Sequence, residues 1–141
     1  MARKLGAKHL INYNETPDWA TEVLRVTNGK GVDIVVDVAG AGSIAQSVKS
    51  TRFGGAVVLV GMLSGHSSII PDLVPGILFG AKTVVGQFGA GSKEMSDELA
   101  RFMEKHQLHP QIAQVFEFGE ADKALEAATK LTAPGKVVVR V

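Results

Sequence analysis

The sequence contains no cysteine among its 141 residues. That absence excludes disulfide bonds, thiolate ligands for a metal ion and a cysteine nucleophile. A large excess of one charge is also absent, since the chain has 15 basic and 14 acidic side chains and a formal net charge of +1. The basic residues are scattered along the chain, which argues against the clustered basic surface of a nucleic-acid-binding protein.

Long apolar runs are absent as well. No run reaches the roughly 18 residues that a membrane-spanning helix needs, and the basic start Met1–Lys4 is not followed by the apolar segment of a signal peptide. Apolar residues nevertheless make up 45% of the chain and charged residues 21%, a composition typical of a globular domain with a core. Together with the missing cysteine, this composition fits a cytoplasmic protein.

Short apolar runs separated by helical patterns are the main structural signal. Three runs, residues 34–39, 56–60 and 83–88, are apolar at odd and even positions alike. This pattern is typical of parallel strands that helices cover on both faces. Residues 9–13 predict a further short strand near the start of the chain. Strands that alternate with helices in this way indicate an α/β fold built on a parallel sheet.

Helix signals lie between these runs. Residues 16–18 suit the cap and first turn of a helix, Trp19 begins its apolar core face, and Asn28–Gly29 ends it. Ser43 is a candidate cap for a second helix, which Gly54–Gly55 is predicted to end. The remaining elements are predicted to be a loop with one short helix, then a helix, a strand, a helix and a strand, over residues 63–80, 92–106, 115–118, 120–131 and 136–141.

Glycines follow the predicted strands at Gly40, Gly61 and Gly89. Ligands bind beyond the carboxyl ends of parallel strands, and a glycine there lets a ligand approach the backbone closely. The same glycines are also ordinary loop residues, so both interpretations stay open. Asp37 interrupts an apolar strand and is predicted to be a hydrogen-bonded structural residue, with a raised pKa as the alternative. His66 either approaches a ligand or is an exposed loop residue.

Two long stretches resemble one enzyme family. The stretch KLGAKHLINYNETPDWATEVLRVTNGKGVDIVVDVAGAGSIAQSVKSTRFGGAVVLVGMLSG resembles the nucleotide-binding part of medium-chain dehydrogenases/reductases, above all their alcohol dehydrogenase-like and quinone oxidoreductase-like branches. The ending HPQIAQVFEFGEADKALEAATKLTAPGKVVVRV is similar to that family's C-terminal segment. The resemblance implies an incomplete Rossmann-like parallel sheet, with strands 3 to 6 of the family pattern, and a C-terminal αβ segment. It assigns residues 1–88 to the C-terminal part of an NAD(P)-binding Rossmann domain and residues 89–141 to a segment that returns to the catalytic domain.

The resemblance also implies that the first strands of the family lie outside this sequence. No G-x-G-x-x-G turn is present, although the family carries such a phosphate-binding turn after its first strand. In the strand order of the family, two strands lie between residues 9–13 and residues 34–39, so the latter would become an exposed edge. Exposed apolar edges pair with other chains. We therefore expect a C-terminal fragment of a longer enzyme, a chain that associates with itself, or a rearranged sheet.

The resemblance implies nine residues along a bound NAD or NADP molecule: Tyr13, Ala39, Gly40, Gly61, Met62, Leu63, Gln87, Phe88 and Lys136. Tyr13 would lie near the adenosine ribose and its phosphate, which favours NADP, and Ala39–Gly40 would lie under the ribose. Gly61–Leu63 would lie beside the nicotinamide, and Gln87–Phe88 near its carboxamide. Lys136 would lie near the pyrophosphate. Plainer interpretations are a strand-end ring packed against the adenine for Tyr13 and a solvated side chain for Lys136.

The chemistry that the resemblance implies is hydride transfer between a nicotinamide and a carbonyl, alcohol or activated alkene. Catalytic groups and any zinc ligands would belong to the catalytic domain, so this chain alone is expected to be inactive and to hold no metal ligands. The family is usually cytosolic and homo-oligomeric. Two alternatives stay open: a non-catalytic Rossmann module that acts through self-association or partner binding, and a methyltransferase, which would need a Gly-rich turn upstream.

Overall fold

The computed structural model of the chain describes residues 1–65, 70, 72–89, 91–130 and 134–141. It divides the chain into two compact units, Met1–Gly91 and Ser92–Val141. Each unit combines helices with parallel strands, so the predicted α/β fold is confirmed. Within the described ranges, no helix has the length and apolar character that crossing a membrane requires.

The first unit is built on a three-stranded parallel sheet. After a short 3-10 helix at Ala2–Leu5, its elements are α1 (Trp19–Val26), β1 (Val32–Asp37), α2 (Ile44–Ser50), β2 (Thr51–Leu59), α3 (Leu73–Phe79) and β3 (Thr83–Gly86). The sheet order is β1-β2-β3. Val57 of β2 lies in register with Val35 of β1 and with Val84 of β3.

One face of this sheet carries the core of the first unit. Ile44 and Val48 of α2 are buried against Val57 at the centre of the sheet, with Val35 and Val84 on either side. Register pairing places these three valines on the same face. Complete burial of a Val or Ile side chain contributes about 1.5–3 kcal/mol. This cluster therefore fixes α2 on the sheet and brings the start of α2 next to the end of β1.

The second unit combines two helices with a two-stranded parallel sheet. Its elements are α4 (Lys93–Lys105), β4 (Ile112–Glu117), α5 (Ala121–Lys130) and β5 (Lys136–Arg140), with β4 paired to β5. Ser92 caps α4, because its hydroxyl accepts a hydrogen bond from the amide of Met95 at 3.1 Å. The predicted order of helix, strand, helix and strand is confirmed.

The prediction of a strand at residues 9–13 is wrong. The segment is irregular and leads into a turn, in which the amides of Glu15 and Thr16 donate to the carbonyl of Asn12. Within the described residues, no backbone hydrogen bond joins this segment to β1, and a strand forms only where a neighbour pairs with it. The sheet of the first unit therefore has three of the four strands that the resemblance implies.

The prediction that Gly54–Gly55 ends α2 is also wrong. The helix ends at Ser50, and both glycines lie within β2. Thr51 takes extended backbone, and its hydroxyl donates to the carbonyl of Ser47 at 2.7 Å, so this side chain marks the change from helix to strand. The register between β1 and β2 shifts in the following residues. A local irregularity of this kind accommodates extra residues in one strand, and here the extra residues of β2 include Gly54 and Gly55.

β1 is an edge strand and leaves apolar side chains exposed to water. Ile34 and Val36 are 63% and 64% exposed, and Val38, which follows the strand, is 52% exposed. These side chains alternate with those of the covered face, so they form an apolar row on the opposite face of the sheet. The exposed edge that the resemblance implies is therefore present.

We expect the isolated chain to self-associate through the β1 edge, because unpaired edges with exposed apolar side chains pair with other chains. Sedimentation velocity at micromolar concentrations should give a species heavier than the 14.9 kDa monomer. Val36→Lys places a charge on the exposed row and should shift the chain towards the monomer. Val74→Lys changes a similarly exposed valine of α3 and should leave association unchanged. A monomeric wild-type chain, or equal effects of the two substitutions, would contradict this expectation.

Candidate functional site

The carboxyl ends of β1, β2 and β3 meet at one edge of the sheet, because the three strands are parallel. The amide of Val60 donates to the carbonyl of Asp37 at 2.9 Å, which holds the ends of β1 and β2 together. The amide of Gln87 donates to the carbonyl of Leu59 at 2.8 Å, which does the same for β2 and β3. The structure thus brings three predicted site segments to one edge: Ala39–Gly40, Gly61–Leu63 and Gln87–Phe88.

An open groove of about 890 Å³ lies at this edge, beside β1. Its lining comes from the segment before α1, the end of β1, the start of α2 and the loop after β2: Ile11, Tyr13, Pro17, Trp19, Val35, Val36, Asp37, Val38, Ala39, Gly42, Ser43, Gln46, Ser47, Leu63 and Ser64. Three predicted site residues, Tyr13, Ala39 and Leu63, are among them. The predicted site residues of the first unit that do not line the groove are Gly40, Gly61, Met62, Gln87 and Phe88.

Large apolar side chains stand exposed on the loops of this edge. Leu63 and Phe88 are each 85% exposed, and Met62 is 57% exposed. Leu63 lines the groove, whereas Met62 and Phe88 leave apolar surface in contact with water elsewhere on this edge. Such surface is typical of a place where an apolar or aromatic group of a ligand or partner is covered.

Two other sequence candidates lie elsewhere. Lys136 is the first residue of β5 in the second unit, so its assignment to the pyrophosphate stays a prediction. His66 lies outside the residues that the structure describes.

Glycine is required where the first two loops touch. Gly40 has a φ of +82°, a left-handed backbone conformation that favours glycine. A Cβ atom at Gly40 would lie 2.9 Å from the carbonyl oxygen of Gly61 and 3.0 Å from the Cα of Met62. A Cβ atom at Gly61 would collide with the carbonyl oxygen of Val38. These two glycines therefore allow the loop after β1 to pack directly on the loop after β2.

Asp37, the last residue of β1, is 4% exposed and surrounded by donors. The amides of Ala39 and Gly40 donate to its carboxylate at 3.0 and 2.9 Å. The hydroxyls of Ser43 and Ser47 each donate to it at 2.6 Å. Among the described residues, no basic side chain forms an ion pair with it. The hydrogen-bonded structural role predicted for Asp37 is confirmed, whereas Ser43 uses its hydroxyl here and does not cap α2.

The Asp37 carboxyl is charged at neutral pH. Burial by itself raises its pKa, because burial disfavours the charged form. The amide and hydroxyl donors together outweigh burial and hold the pKa below its ordinary value of 3.8. The alternative of a raised pKa is therefore wrong. Among the described residues, hydrogen bonds alone compensate the charge, so a change that moves the amides of Ala39 and Gly40 would leave a buried charge poorly solvated.

The loop after β1 does not have the hydrogen bonding of a phosphate-binding turn, although GAGSIA at residues 40–45 resembles the G-x-G-x-x-A form of that motif. Phosphates bind to free amides at the start of a helix. Here the amide of Gly40 donates to Asp37, and the amide of Gly42 donates to the hydroxyl of Ser64 at 2.7 Å. The buried carboxylate also repels a phosphate. The loop therefore shapes the edge without offering a phosphate site.

Trp19 and Gln46 line the groove but were not among the predicted site residues. Helical spacing predicts Trp19 as a core residue, yet it is the first residue of α1, with Asp18 at the N-cap position. A helix that leads into a parallel strand runs back along the sheet, so it begins at the carboxyl edge. Gln46 fixes this start, since its Oε1 accepts from the amide of Ala20 at 3.0 Å and its Nε2 donates to the carbonyl of Pro17 at 2.8 Å.

Comparison with known proteins identifies the family to which the chain belongs. Residues 1–105, which include every element of the first unit and α4, match the family model described as zinc-binding dehydrogenase. The chain belongs to the zinc-binding dehydrogenase family. The resemblance to alcohol dehydrogenase-like enzymes is thereby confirmed.

Individual relatives of this chain are longer proteins. A zinc-type alcohol dehydrogenase-like protein of Schizosaccharomyces pombe is 32% identical over 142 residues, which cover 99% of this chain and 41% of the relative. The solved structure of an NAD-dependent alcohol dehydrogenase matches with a TM-score of 0.78 and 33% identity, over 99% of this chain and 40% of that one. A 2-octenoyl-CoA carboxylase reductase, solved with NADP and 2-octenoyl-CoA, matches with a TM-score of 0.77 and 25% identity, over 97% and 34%. The chain spans about 40% of the length of the curated relatives it matches.

The described residues of this chain do not fit a zinc site. Zinc sites in proteins use three or four Cys, His, Asp or Glu ligands. The sequence has no cysteine, and the described ranges contain no group of three or more His, Asp or Glu residues that could hold a metal ion. We therefore assign no zinc chemistry to the described part of this chain.

We expect Asp37→Asn to lower the free energy of unfolding by about 2–3 kcal/mol at neutral pH, because the amide carries no charge and leaves buried donors poorly paired. The folded pKa of Asp37 is depressed. Its contribution to stability is therefore complete above the ordinary value of 3.8 and is lost as the pH falls through the lower folded pKa. The difference between wild type and variant should shrink on acidification. Urea unfolding over a series of pH values measures it.

Asp33→Asn is the matched control, since Asp33 lies on the same strand. Its exposed carboxylate pairs with Arg52 at 2.5 Å. Exposed ion pairs contribute little to stability, so this variant should leave the free energy of unfolding nearly unchanged. Equal losses in the two variants, or a loss for Asp37→Asn that does not depend on pH, would show that the buried charge has no special role.

Proposed function

We propose that this chain forms one wall of the nicotinamide dinucleotide site of a dehydrogenase or reductase. The observation that carries the proposal is the groove beside β1, at the carboxyl ends of three parallel strands, with Tyr13, Ala39 and Leu63 in its lining. Ligands of α/β proteins bind at this edge of the sheet. Family membership and the dehydrogenases and reductases among the relatives support a nicotinamide cofactor.

The groove suits the rings and riboses of a dinucleotide better than its phosphates. Apolar and aromatic side chains such as Trp19 and Leu63 dominate its lining, and its one charged residue within the described part of the chain is Asp37. Flat rings are held by apolar contact, whereas phosphates need cationic side chains or free amides. We therefore place the pyrophosphate contacts outside the groove, with Lys136 as the candidate.

Each loop at this edge would contact a different part of the ligand. Ala39–Gly40 would lie under the ribose, and Gly61–Leu63 would lie beside the nicotinamide, where the exposed Met62 and Leu63 side chains would cover one face of the ring. Gln87–Phe88 would reach the carboxamide. The backbone amide of Gln87 is taken by the carbonyl of Leu59, so this contact would use the Gln87 side chain or the Phe88 backbone.

The proposed reaction is hydride transfer between the nicotinamide and a carbonyl, alcohol or activated alkene. The nicotinamide, when bound, supplies or accepts the hydride. The residues of this chain would orient the ring and exclude water from one of its faces. No catalytic residue is assigned here, because the one acid in the described lining, Asp37, is already held by four donors. On this proposal the chain by itself is inactive.

We assign the second unit, as part of residues 89–141, to a segment that returns to the catalytic domain of the whole enzyme. That enzyme would be a cytoplasmic homo-oligomer. NADP is the favoured cofactor, since Tyr13 lies in the groove lining and is exposed, so its hydroxyl is available to a ribose phosphate. One similar solved structure is that of an NAD-dependent alcohol dehydrogenase, and another was solved with NADP.

A second candidate function is a non-catalytic module that acts through self-association. The specific observation in its favour is the exposed apolar row on the edge strand β1. A chain that associates but shifts no amide signal with dinucleotide would support this module and count against the cofactor site.

Titration of the ¹⁵N-labelled chain tests the cofactor site at the level of single residues. With millimolar NADPH or nicotinamide mononucleotide, we expect signal shifts for the amides of Gly40, Gly61 and Leu63 and for the indole of Trp19, the single tryptophan of the chain. Weak binding is expected, because the described lining of the groove has no cationic side chain for the pyrophosphate. Shifts confined to the second unit, or no shifts at millimolar ligand, would reject the proposal.

Tyr13→Phe tests the cofactor preference. Loss of one hydrogen bond to a phosphate, worth about 0.5–1.5 kcal/mol, should weaken binding of NADPH by about 2- to 12-fold. The affinity for NADH should not change, because NADH lacks that phosphate. The same titration measures both constants. An equal loss for the two cofactors would assign Tyr13 to ring packing against the adenine.

A further inference from the structure

We propose that Ser64 is a positioning residue that joins the loop after β1 to the loop after β2 and so sets the width of the groove. The hydroxyl of Ser64 donates to the carbonyl of Ala39 at 2.5 Å and accepts from the amide of Gly42 at 2.7 Å. The Ser64 amide also donates to the carbonyl of Ala39, at 2.9 Å. One residue of the second loop therefore contacts the first loop through three hydrogen bonds, which we call the inter-loop contact.

Close packing at Gly42 supports the inter-loop contact independently of its hydrogen bonds. A Cβ atom at Gly42 would lie 2.8 Å from the Cβ and 2.9 Å from the Oγ of Ser64. Real Cβ atoms do not approach other atoms this closely, so a residue without a side chain is needed at position 42 for Ser64 to sit where it does. The amide of Leu63 adds a long backbone contact to the carbonyl of Val38, at 3.4 Å.

Asp37 holds the first loop in place, so that Ser64 contacts a fixed backbone. Its carboxylate holds the amides of Ala39 and Gly40, so the carbonyl of Ala39 stays in place for Ser64. Ser64 is itself exposed, in contrast to Asp37. Water can therefore replace the Ser64 hydroxyl at Ala39 and Gly42, and removal of that hydroxyl should leave the fold intact.

The inter-loop contact acts on the groove through Leu63. Leu63 precedes Ser64 and lines the groove together with Ala39, which belongs to the other loop. Without the hydroxyl, only backbone hydrogen bonds would join the described residues of the two loops, and the additional ordering that a ligand must then impose weakens affinity. This consequence rests on the proposed function, in which Leu63 lies beside the nicotinamide.

The test compares Ser64→Ala with Ser64→Thr, which keeps a hydroxyl, in the full 141-residue chain. We expect Ser64→Ala to bind nicotinamide mononucleotide about 3- to 10-fold more weakly, Ser64→Thr to recover most of the affinity, and the urea midpoint to stay near that of the wild type. The amide of Gly42 should exchange with solvent several-fold faster in Ser64→Ala. Gly42→Ala should weaken binding in the same way. Ser96→Ala, an exposed serine of α4, is the control and should change neither quantity.

The affinity for nicotinamide mononucleotide and the exchange rate of the Gly42 amide distinguish failure of this proposal from failure of the cofactor site. A wild-type affinity that Ser64→Ala does not change would overturn the role of Ser64 while the cofactor site stands. An unchanged exchange rate at Gly42 would overturn the inter-loop contact itself. A wild-type chain that binds neither nicotinamide mononucleotide nor NADPH would overturn the cofactor site and the effect of Ser64 on affinity. A large drop in the urea midpoint for Ser64→Ala would assign Ser64 to fold stability alone.

Discussion

The negative charge of Asp37 determines how the carboxyl edge of the sheet is arranged. It is buried without a basic partner among the described residues, so backbone and hydroxyl donors have to surround it. The amides of Ala39 and Gly40 turn towards it, and α2 begins where Ser43 and Ser47 can reach it. The left-handed conformation of Gly40 follows from that path. Packing of α2 on the sheet supplies apolar burial that offsets the cost of removing a charge from water.

The local sequence pattern correctly predicts the strands that pair within the sheet and whose apolar side chains are covered there. Val35 and Val57 pair with neighbours and contact α2, so local preference and tertiary environment agree. Residues 9–13 have a strand-like pattern, but no described neighbour pairs with them. Gly54–Gly55 is a typical helix end, yet the register shift between β1 and β2 takes both glycines into a strand. A local pattern indicates that a strand is possible, and the rest of the sheet decides whether it forms.

The edge on which the groove lies is predictable, because it follows from parallel strands alone. The contacts that shape the groove are not, because they join residues far apart in the sequence. Ser64 contacts residues 22 and 25 positions away, and Gln46 contacts residues 26 and 29 positions away. Each contact depends on two loops or helices meeting, which a single sequence does not encode locally. The position of Trp19 in the groove could have been predicted, since the direction of α1 places the start of this helix at the carboxyl edge of the sheet.

The unpaired edge and the groove share one strand. Val36 and Val38 are exposed on the edge strand β1 and also line the groove. A chain that paired along β1 would therefore pass beside the groove and extend its wall. The described lining has no cationic side chain, so the proposed dinucleotide would need pyrophosphate contacts from outside it. If the pairing chain supplied them, the ligand would contact both chains. Binding and pairing would then favour each other, because a ligand that binds the paired state more tightly shifts the equilibrium towards it by mass action.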